Sequence, residues 1–242
     1  MHKLIATEFF KLRTSRAPWL ILATQMLLIV AGMSGLAIAD IDFKSPGAAR
    51  LLICHAGLTS LLMLVVGILA VTGEYRDGTI TDTYLSSPRR YRVILAKLAA
   101  YTHLGVVSGI LSAVTALIVA AVWMAANGRS LDLGSADVWQ TAVGVALWMP
   151  LYAALGVGLG ALVRNLGLAI TIGLVWIAMV EGIAINLLGG FGRWLPGMAG
   201  MALDNVPQGN LLPQVTGGLV LAAYAVVLAV AAVAMTMRSD VA

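Results

Sequence analysis

Six long apolar runs constrain this chain more than any other feature of its sequence. They occupy residues 17–39, 51–72, 98–124, 138–163, 166–188 and 215–237. A helix needs about 20 apolar residues to cross the hydrocarbon core of a bilayer, and each run is long enough. With 60% hydrophobic and 11% charged residues, the chain could not hide this much apolar surface by folding in water. We therefore predict an all-α, polytopic membrane protein in which residues 1–242 form one six-span domain.

The distribution of lysine and arginine predicts how these runs are oriented, because cytoplasmic loops carry an excess of basic residues. If the six runs alternate in direction, most of the 15 basic residues fall on one side. That side has Lys3, Lys11, Arg13, Arg16, Arg76, Arg89, Arg90, Arg92, Lys97, Arg164 and Arg238, whereas the other has Lys44, Arg50, Arg129 and Arg193. We therefore predict that both termini are cytoplasmic.

Residues 1–16 have the pattern of a helix that lies in the headgroup layer. Ile5, Phe9 and Leu12 share one helical face, and Lys3 and Lys11 lie on the opposite face. A basic anchor without a lateral helix would also fit. The basic start, the first run and the small residues at 37–39 resemble a secretory signal too, but signal cores span only about 7–15 residues. We therefore expect the first run to be retained as a span.

The longest polar stretch is the loop at residues 73–92, between the second and third runs. Gly78 can reverse the chain direction, Thr79 and Asp82 form a weak capping pattern, and Pro88 ends any helix before it. A helix of about two turns follows, on the water side of the membrane. Such a short helix is marginal alone, which favours a partner protein. A solvated charged turn is the alternative interpretation.

The same loop carries a resemblance to a known family. The residues that carry it are Gly73-Glu74-Tyr75-Arg76, Gly78-Thr79, Pro88-Arg89-Arg90 and Ala96-Lys97-Leu98 at the start of a span. This pattern resembles permease subunits of type-2 ABC exporters, which include bacterial multidrug-resistance and antibiotic self-export permeases. The motif covers residues 73–98, and the six-span layout covers the whole chain. Family members often carry a basic residue shortly after the Gly-Thr pair, where this chain has Asp82.

The resemblance implies a transport subunit of the bacterial plasma membrane that is not itself an enzyme. It would form the path for a hydrophobic or amphipathic substrate, such as a drug, an antibiotic or a lipid-like compound. The implied partners are two copies of an ABC ATPase subunit, a second copy of the chain or a paralogue, and membrane lipids, but not nucleic acid. ATP and Mg would be bound by the ATPase. In agreement, none of the four lysines follows a glycine, so the chain has no P-loop.

The resemblance also implies roles for particular segments. Residues 1–16 would form an elbow helix, and residues 73–92 would form a coupling loop that docks on the ATPase. The residues assigned to coupling are Glu74, Tyr75, Arg76, Asp77, Gly78, Thr79, Ile80, Tyr84, Leu85, Pro88, Arg89 and Arg90. The apolar loop at residues 189–214 would form re-entrant helices on the outer side. From its residues alone, this loop fits either short helices sunk in the outer leaflet or an interfacial aromatic anchor.

Glu181 is an ionisable residue inside the fifth run, and such residues are candidates for function. It could line an exit cavity, bind a cationic substrate group or hold a gate, and a structural carboxyl group is an equal alternative. The residues assigned to a substrate path or gate are Gln25, Trp176, Glu181, Asn186, Trp194 and Met198.

Two other classes of function stay open at this stage: an intramembrane enzyme, and a membrane anchor or sensor that transports nothing. The enzyme is disfavoured because no Ser-His or paired-Asp arrangement lies at one depth in the runs. Cys54 is the one cysteine, which excludes an intrachain disulfide and a cysteine-based zinc site. His55 and His103 fall at different depths, which argues against a shared haem or metal. The sequence does not identify the cargo.

Overall fold

The computed structural model describes residues 1–39, 41–81 and 90–238, and every regular element within these ranges is helical. Six of the helices are long and apolar enough to cross a membrane. Spans one to six are Arg16–Ala39, Ala48–Arg76, Arg90–Ala126, Ala136–Val163, Leu166–Trp194 and Gln214–Met237. The prediction of an all-α protein with six spans is therefore confirmed for the described residues.

Two of the spans change their helical geometry along their length. Span two begins as Ala48–Cys54, tightens into a 3-10 segment at His55–Thr59 and continues as Ser60–Arg76. Span five consists of Leu166–Val175, a π-helical turn at Trp176–Val180, Glu181–Leu188 and a 3-10 segment at Gly189–Trp194. The last helix continues to Arg238.

The described ranges also contain two shorter helices outside the spans. The N-terminal helix, His2–Thr14, precedes span one, with Ser15 in an extended conformation between them. The second, which we call the loop helix, is Pro196–Leu203 between spans five and six. Its proline occupies the first turn, where the missing N–H is not needed.

Span four is the centre of the bundle and packs against spans two, three and six. Gly156 and Gly160, spaced as a GxxxG motif, face span two. A Cβ at Gly156 would lie 3.0 Å from the Cα of Gly67, and a Cβ at Gly160 would lie 3.1 Å from the Cα of Ile68. Small residues thus allow the two backbones to touch, as is common between membrane helices.

Spans one, five and six are peripheral. Only 28%, 17% and 17% of their most apolar windows are buried, against 67% in span four. Large side chains such as Leu27, Met179 and Val226 face outward from them. These faces are suited to lipid or to another membrane-embedded chain.

The turn between spans four and five lies where the sequence predicts it. Arg164 adopts a left-handed conformation with φ of 56°, and its N–H donates to the Gly160 carbonyl at 2.9 Å. The Asn165 side chain then accepts a hydrogen bond from the Leu168 N–H at 3.0 Å and caps span five. Two residues are therefore enough to reverse the chain.

Candidate functional site

Four charged side chains form a cluster where the N-terminal helix meets the ends of spans two and three. Glu8 and Lys11 come from the N-terminal helix, Glu74 from the last turn of span two and Lys97 from span three. Lys97 Nζ lies 2.7 Å from Glu74 Oε1 and 3.1 Å from Glu8 Oε2. Lys11 Nζ lies 2.7 Å from the same Glu74 oxygen and 2.9 Å from Glu8 Oε1. We call this set the charge cluster.

The charge cluster is shielded from water on the Lys97 side. The Lys97 side chain is 1% exposed, and its ammonium group also donates to the Ala70 carbonyl at 2.9 Å. All three of its protons therefore have acceptors, which a buried ammonium group requires. Removing either glutamate would leave one of these protons without its acceptor and take away one of the two negative charges beside the buried ammonium group, an unfavourable change of about 1–3 kcal/mol.

The local sequence explains how these groups meet. Glu8 and Leu12 are the two buried residues of the N-terminal helix, one turn apart on the same face. That face packs on span three, where Phe9 meets His103 edge to face with ring centroids 5.2 Å apart. The buried stripe of this helix therefore contains an acid among its apolar residues.

Lys11 sits at the outer rim of the cluster, with its side chain 42% exposed. Desolvation lowers its pKa, but the hydrogen bonds and negative charges of Glu74 and Glu8 outweigh this and raise the pKa above its ordinary value. A cavity of about 270 Å³ opens beside it and is lined by the cluster together with Ser15, Tyr101 and Asp77.

The polar loop leaves the cluster through an exposed turn. Arg76 Nε donates to Asp77 Oδ1 at 2.9 Å, and both side chains are more than half exposed. This hydrogen bond lowers the pKa of Asp77. Gly78 follows with φ of 71°, a conformation that favours glycine. The turn therefore presents one positive and one negative group on its surface.

After this exposed turn, the side chain of Ile80 is buried against the helices. It is 7% exposed and packs against Val93 of span three and Tyr75 of span two. The Arg164 guanidinium lies over the Tyr75 ring, 5.8 Å from its centroid, so the turn between spans four and five touches the same region. Thr79 precedes Ile80, and Arg90 begins span three. Tyr84, Leu85, Pro88 and Arg89, which the sequence analysis also assigns to coupling, lie outside the described residues.

Glu181 forms a second polar contact at the far end of span five. Its carboxylate accepts hydrogen bonds from the Gly197 N–H at 2.8 and 3.0 Å and from the Met198 N–H at 3.3 Å. These N–H groups belong to the first turn of the loop helix, where a negative charge is favourable. A Cβ at Gly197 would lie 2.6 Å from Glu181 Oε2, so a larger residue there would displace the carboxyl group. Glu181 therefore fastens the loop helix to span five.

Gln25, Asn186 and Trp194, which are also assigned to a path or gate, are not among the residues that contact Glu181. Gln25 is fully buried near the middle of span one, where its amide exchanges hydrogen bonds of 2.9 Å with Ser108 and Ser112 of span three. Asn186 is exposed and donates to the carbonyl of Gly182, one turn earlier in its own helix. Trp176 and Trp194 are 45% and 43% exposed on span five, whereas Met198 is buried in the loop helix. Of the six, the structure brings together Glu181, Trp176, whose side chain hydrogen-bonds to the carboxyl group, and Met198.

Within the part of the chain that the structure describes, no group of three His, Cys, Asp or Glu side chains could hold a metal ion. His55 lies against Gly32 of span one, and His103 contacts Phe9. The two histidines therefore serve different packing contacts.

Three members of the charge cluster, Glu8, Lys11 and Lys97, are absent from the residues that the sequence analysis assigns to coupling. The sequence does mark Glu8 and Lys97 as unusual. Glu8 is the one acidic residue among the first 39, and Lys97 interrupts an apolar stretch at the start of span three. A lone charge in apolar surroundings, such as Lys97, indicates that a counter-charge is needed.

No protein-family model matches the chain, and no match is found among curated proteins.

Proposed function

We propose that this chain is the membrane subunit of an ATP-driven exporter of the type-2 ABC class, coupled to a separate ATPase. The observation that carries this proposal is the charge cluster. It joins the N-terminal helix, the end of span two and the start of span three at the base of the polar loop. The sequence resemblance at residues 73–98 falls on this same region.

Because of the charge cluster, a force on the polar loop would be transmitted to spans two and three. The Glu74 and Lys97 side chains are 2.7 Å apart, so the two spans that flank the loop are linked directly beneath it. Ile80 adds an apolar contact on the same side of the loop. A displacement of the loop by a docked ATPase would therefore move both spans together, and the N-terminal helix would follow through Glu8 and Lys11.

In this proposal the exposed pair Arg76–Asp77 and the residues that follow it form the docking surface. Asp77, Gly78 and Thr79 face solvent, whereas Ile80 holds the loop against the chain. The N-terminal helix acts as the elbow helix beside this surface. The excess of basic residues on this side favours a cytoplasmic location for it and for both termini, and the family resemblance favours a bacterial plasma membrane.

The path itself requires a second membrane subunit. Spans one, five and six keep apolar faces that the single chain does not cover, and a second copy or a paralogue would cover part of them. Trp176, Asn186 and Trp194 lie on the uncovered side of span five. A path beside them would favour a hydrophobic or amphipathic substrate. The loop helix, fastened by Glu181, would close this path from the outer side as a re-entrant helix.

The proposal is tested with the tagged full-length chain, purified from membranes of its own cells and assayed for a bound P-loop protein and for Mg-ATP hydrolysis. The informative variant is the double exchange Arg76→Asp and Asp77→Arg. It keeps the ion pair within the chain but reverses the charges shown to a partner. We expect loss of the ATPase and of ATP hydrolysis, with an unchanged melting temperature.

The matched control is Arg129→Glu, a charge reversal at an exposed arginine in the loop after span three. This loop lies at the opposite end of the spans, so the control should keep its ATPase. If the wild-type chain binds no P-loop protein, or if both variants keep it equally, the proposal is wrong.

A further inference from the structure

Asp204, at the end of the loop helix, is fully buried. A Cβ at Gly57 of span two would overlap the Asp204 carboxyl group, and the indole ring of Trp148 from span four reaches the same point. Asp204 is 0% exposed, and neither of its carboxyl oxygens has a hydrogen-bond partner among residues 1–39, 41–81 and 90–238. An ionised carboxylate without donors is strongly disfavoured in such a place.

The position of Asp204 at the C-terminal end of the loop helix disfavours the ionised carboxylate further. Its backbone N–H closes the last turn by donating to the Gly200 carbonyl at 2.9 Å. The carbonyl end of a helix carries partial negative charge, which opposes a second negative charge there. Glu181 sits at the other end of the same helix and accepts three N–H hydrogen bonds. The Glu181 carboxyl group thus lies at the N-terminal end of the loop helix, where negative charge is favoured. The Asp204 carboxyl group lies at the C-terminal end, where negative charge is disfavoured.

Arg50 of span two does not neutralise Asp204. Its guanidinium donates to the carbonyls of Asn205 at 2.5 Å and Val206 at 3.3 Å, which belong to the two residues after Asp204. It therefore fastens the backbone, and no other described residue makes an ion pair with the carboxyl group between Gly57 and Trp148.

We infer that Asp204 is a proton-binding site, and that docking of the loop helix against spans two and four takes up one proton at its carboxyl group. The docked helix needs the neutral acid. When the helix moves away, water reaches the carboxyl group and the proton leaves. This inference does not depend on an ATPase or on a substrate.

The direction of the pH effect follows from linkage. Burial raises the pKa of Asp204 well above its ordinary value of 3.8. The docked state therefore binds the proton over a pH range in which the undocked state has lost it. Within that range, each unit of rising pH lowers the ratio of docked to undocked protein by up to about tenfold. Below the ordinary pKa both states are protonated, and docking is at its most favourable.

The other titratable or charged groups considered in the test lie on the helices around the loop helix. Arg50, Cys54 and His55 come from the first part of span two, Tyr152 from span four and Glu181 from span five. His55 lies against Gly32 of span one. His55 and Glu181 are the two whose titration could imitate that of Asp204 in the acidic to neutral range.

The test measures the distance between spin labels in the full-length protein, in a Cys54→Ala background. One label is placed at Gln208, after the loop helix, and the other at Ser130, after span three; both positions are exposed. A second pair at Lys44 and Ser130 leaves out the loop helix and serves as the reference. Distances are recorded in detergent from pH 4 to pH 9.

We expect the Gln208–Ser130 pair to gain a second, displaced distance as pH rises, while the reference pair stays constant. Asp204→Asn should keep the low-pH distance at every pH. The variant His55→Gln should keep the wild-type pH response, because it does not remove the Asp204 proton. Glu181→Gln weakens the fastening of the loop helix to span five, so it should shift the pH response without abolishing it. Gly57→Ala, which crowds the carboxyl group, should show the displaced distance even at pH 4.

A wild-type distance that is the same at every pH would overturn the inference. So would a pH response that persists in Asp204→Asn or disappears in His55→Gln or Glu181→Gln. If Asp204→Asn changes the reference distance and has therefore misfolded, the wild-type series and Gly57→Ala decide the question.

Discussion

Lys97 Nζ lies 2.7 Å from Glu74 Oε1, although 23 residues separate the two in the chain. The contact closes the base of the polar loop and holds the ends of spans two and three together. Because Glu8 and Lys11 join the same contact, the N-terminal helix is part of this unit. The proposal that the loop couples an ATPase to the spans rests on this arrangement.

Lys97→Met should destabilise the protein strongly. It would leave Glu8 and Glu74 next to each other without the buried ammonium group, at a cost of about 3–5 kcal/mol. The melting temperature in detergent measures the effect. Lys11→Met, at a half-exposed position in the same cluster, is the control and should cost about 1 kcal/mol or less. Equal melting temperatures for the two variants would mean that the cluster does not hold the helices together.

Lys11 should contribute stability in a defined pH range. Its pKa is raised above 10.5 by Glu74 and Glu8. The contribution is therefore fully present below the pKa of the unfolded chain and is lost as pH rises through the raised value. The difference in melting temperature between wild type and Lys11→Met should be constant from pH 7 to about 9.5 and should shrink above that. Lys3→Met, on the exposed side of the N-terminal helix, controls for general effects of alkali, and an equal shrinkage there would contradict the assignment.

Much of the fold could be predicted because it depends on local signals. The six spans follow from apolar runs of sufficient length, and the turn at Arg164 and Asn165 follows from two polar residues between two runs. The role of Glu181 could not be predicted, because it depends on where the chain returns after span five and presents the N–H groups of Gly197 and Met198. An acid inside a span shows that a partner is needed, but it does not show which partner.

The charge cluster escaped prediction for a related reason. Glu8 and Lys97 are 89 residues apart, and no local pattern records that the N-terminal helix packs beside span three. The helical wheel of residues 1–16 assigns Lys3 and Lys11 to the polar face and gives Glu8 no role. The burial of Glu8 follows only from the need of the buried Lys97 ammonium group for three hydrogen-bond acceptors, one of which is Glu8.

Gly156→Ala should destabilise the bundle. Its Cβ would lie 3.0 Å from the Gly67 Cα and closer still to the Leu64 carbonyl, so the backbones of spans two and four must separate. Overpacking of this kind costs about 1–3 kcal/mol. The control is Gly182→Ala, where the Cβ would meet open space and stability should be equal or slightly higher. Thermal unfolding in detergent compares them, and equal losses at both glycines would contradict the close contact.

Glu181→Leu should release the loop helix from span five. Two backbone N–H groups would lose their acceptor in a buried place, at a cost of about 1–3 kcal/mol. Limited proteolysis should then cut the segment between spans five and six faster than in wild type. Glu181→Gln keeps one carbonyl acceptor and should give an intermediate rate. An unchanged rate in the leucine variant would show that the loop helix is held by its apolar packing alone.

The central claim, that the polar loop docks on an ATPase, is tested most directly by site-specific photo-crosslinking in native membranes. The crosslinker replaces Thr81, the last described residue of the loop on its N-terminal side, which is exposed. Ser130, exposed at the opposite end of the spans, carries it in the control. We predict a covalent product between position 81 and a P-loop ATPase, identified by mass spectrometry, and no such product from position 130. A chain that gives no ATPase product at position 81, or the same yield at both positions, would contradict the account.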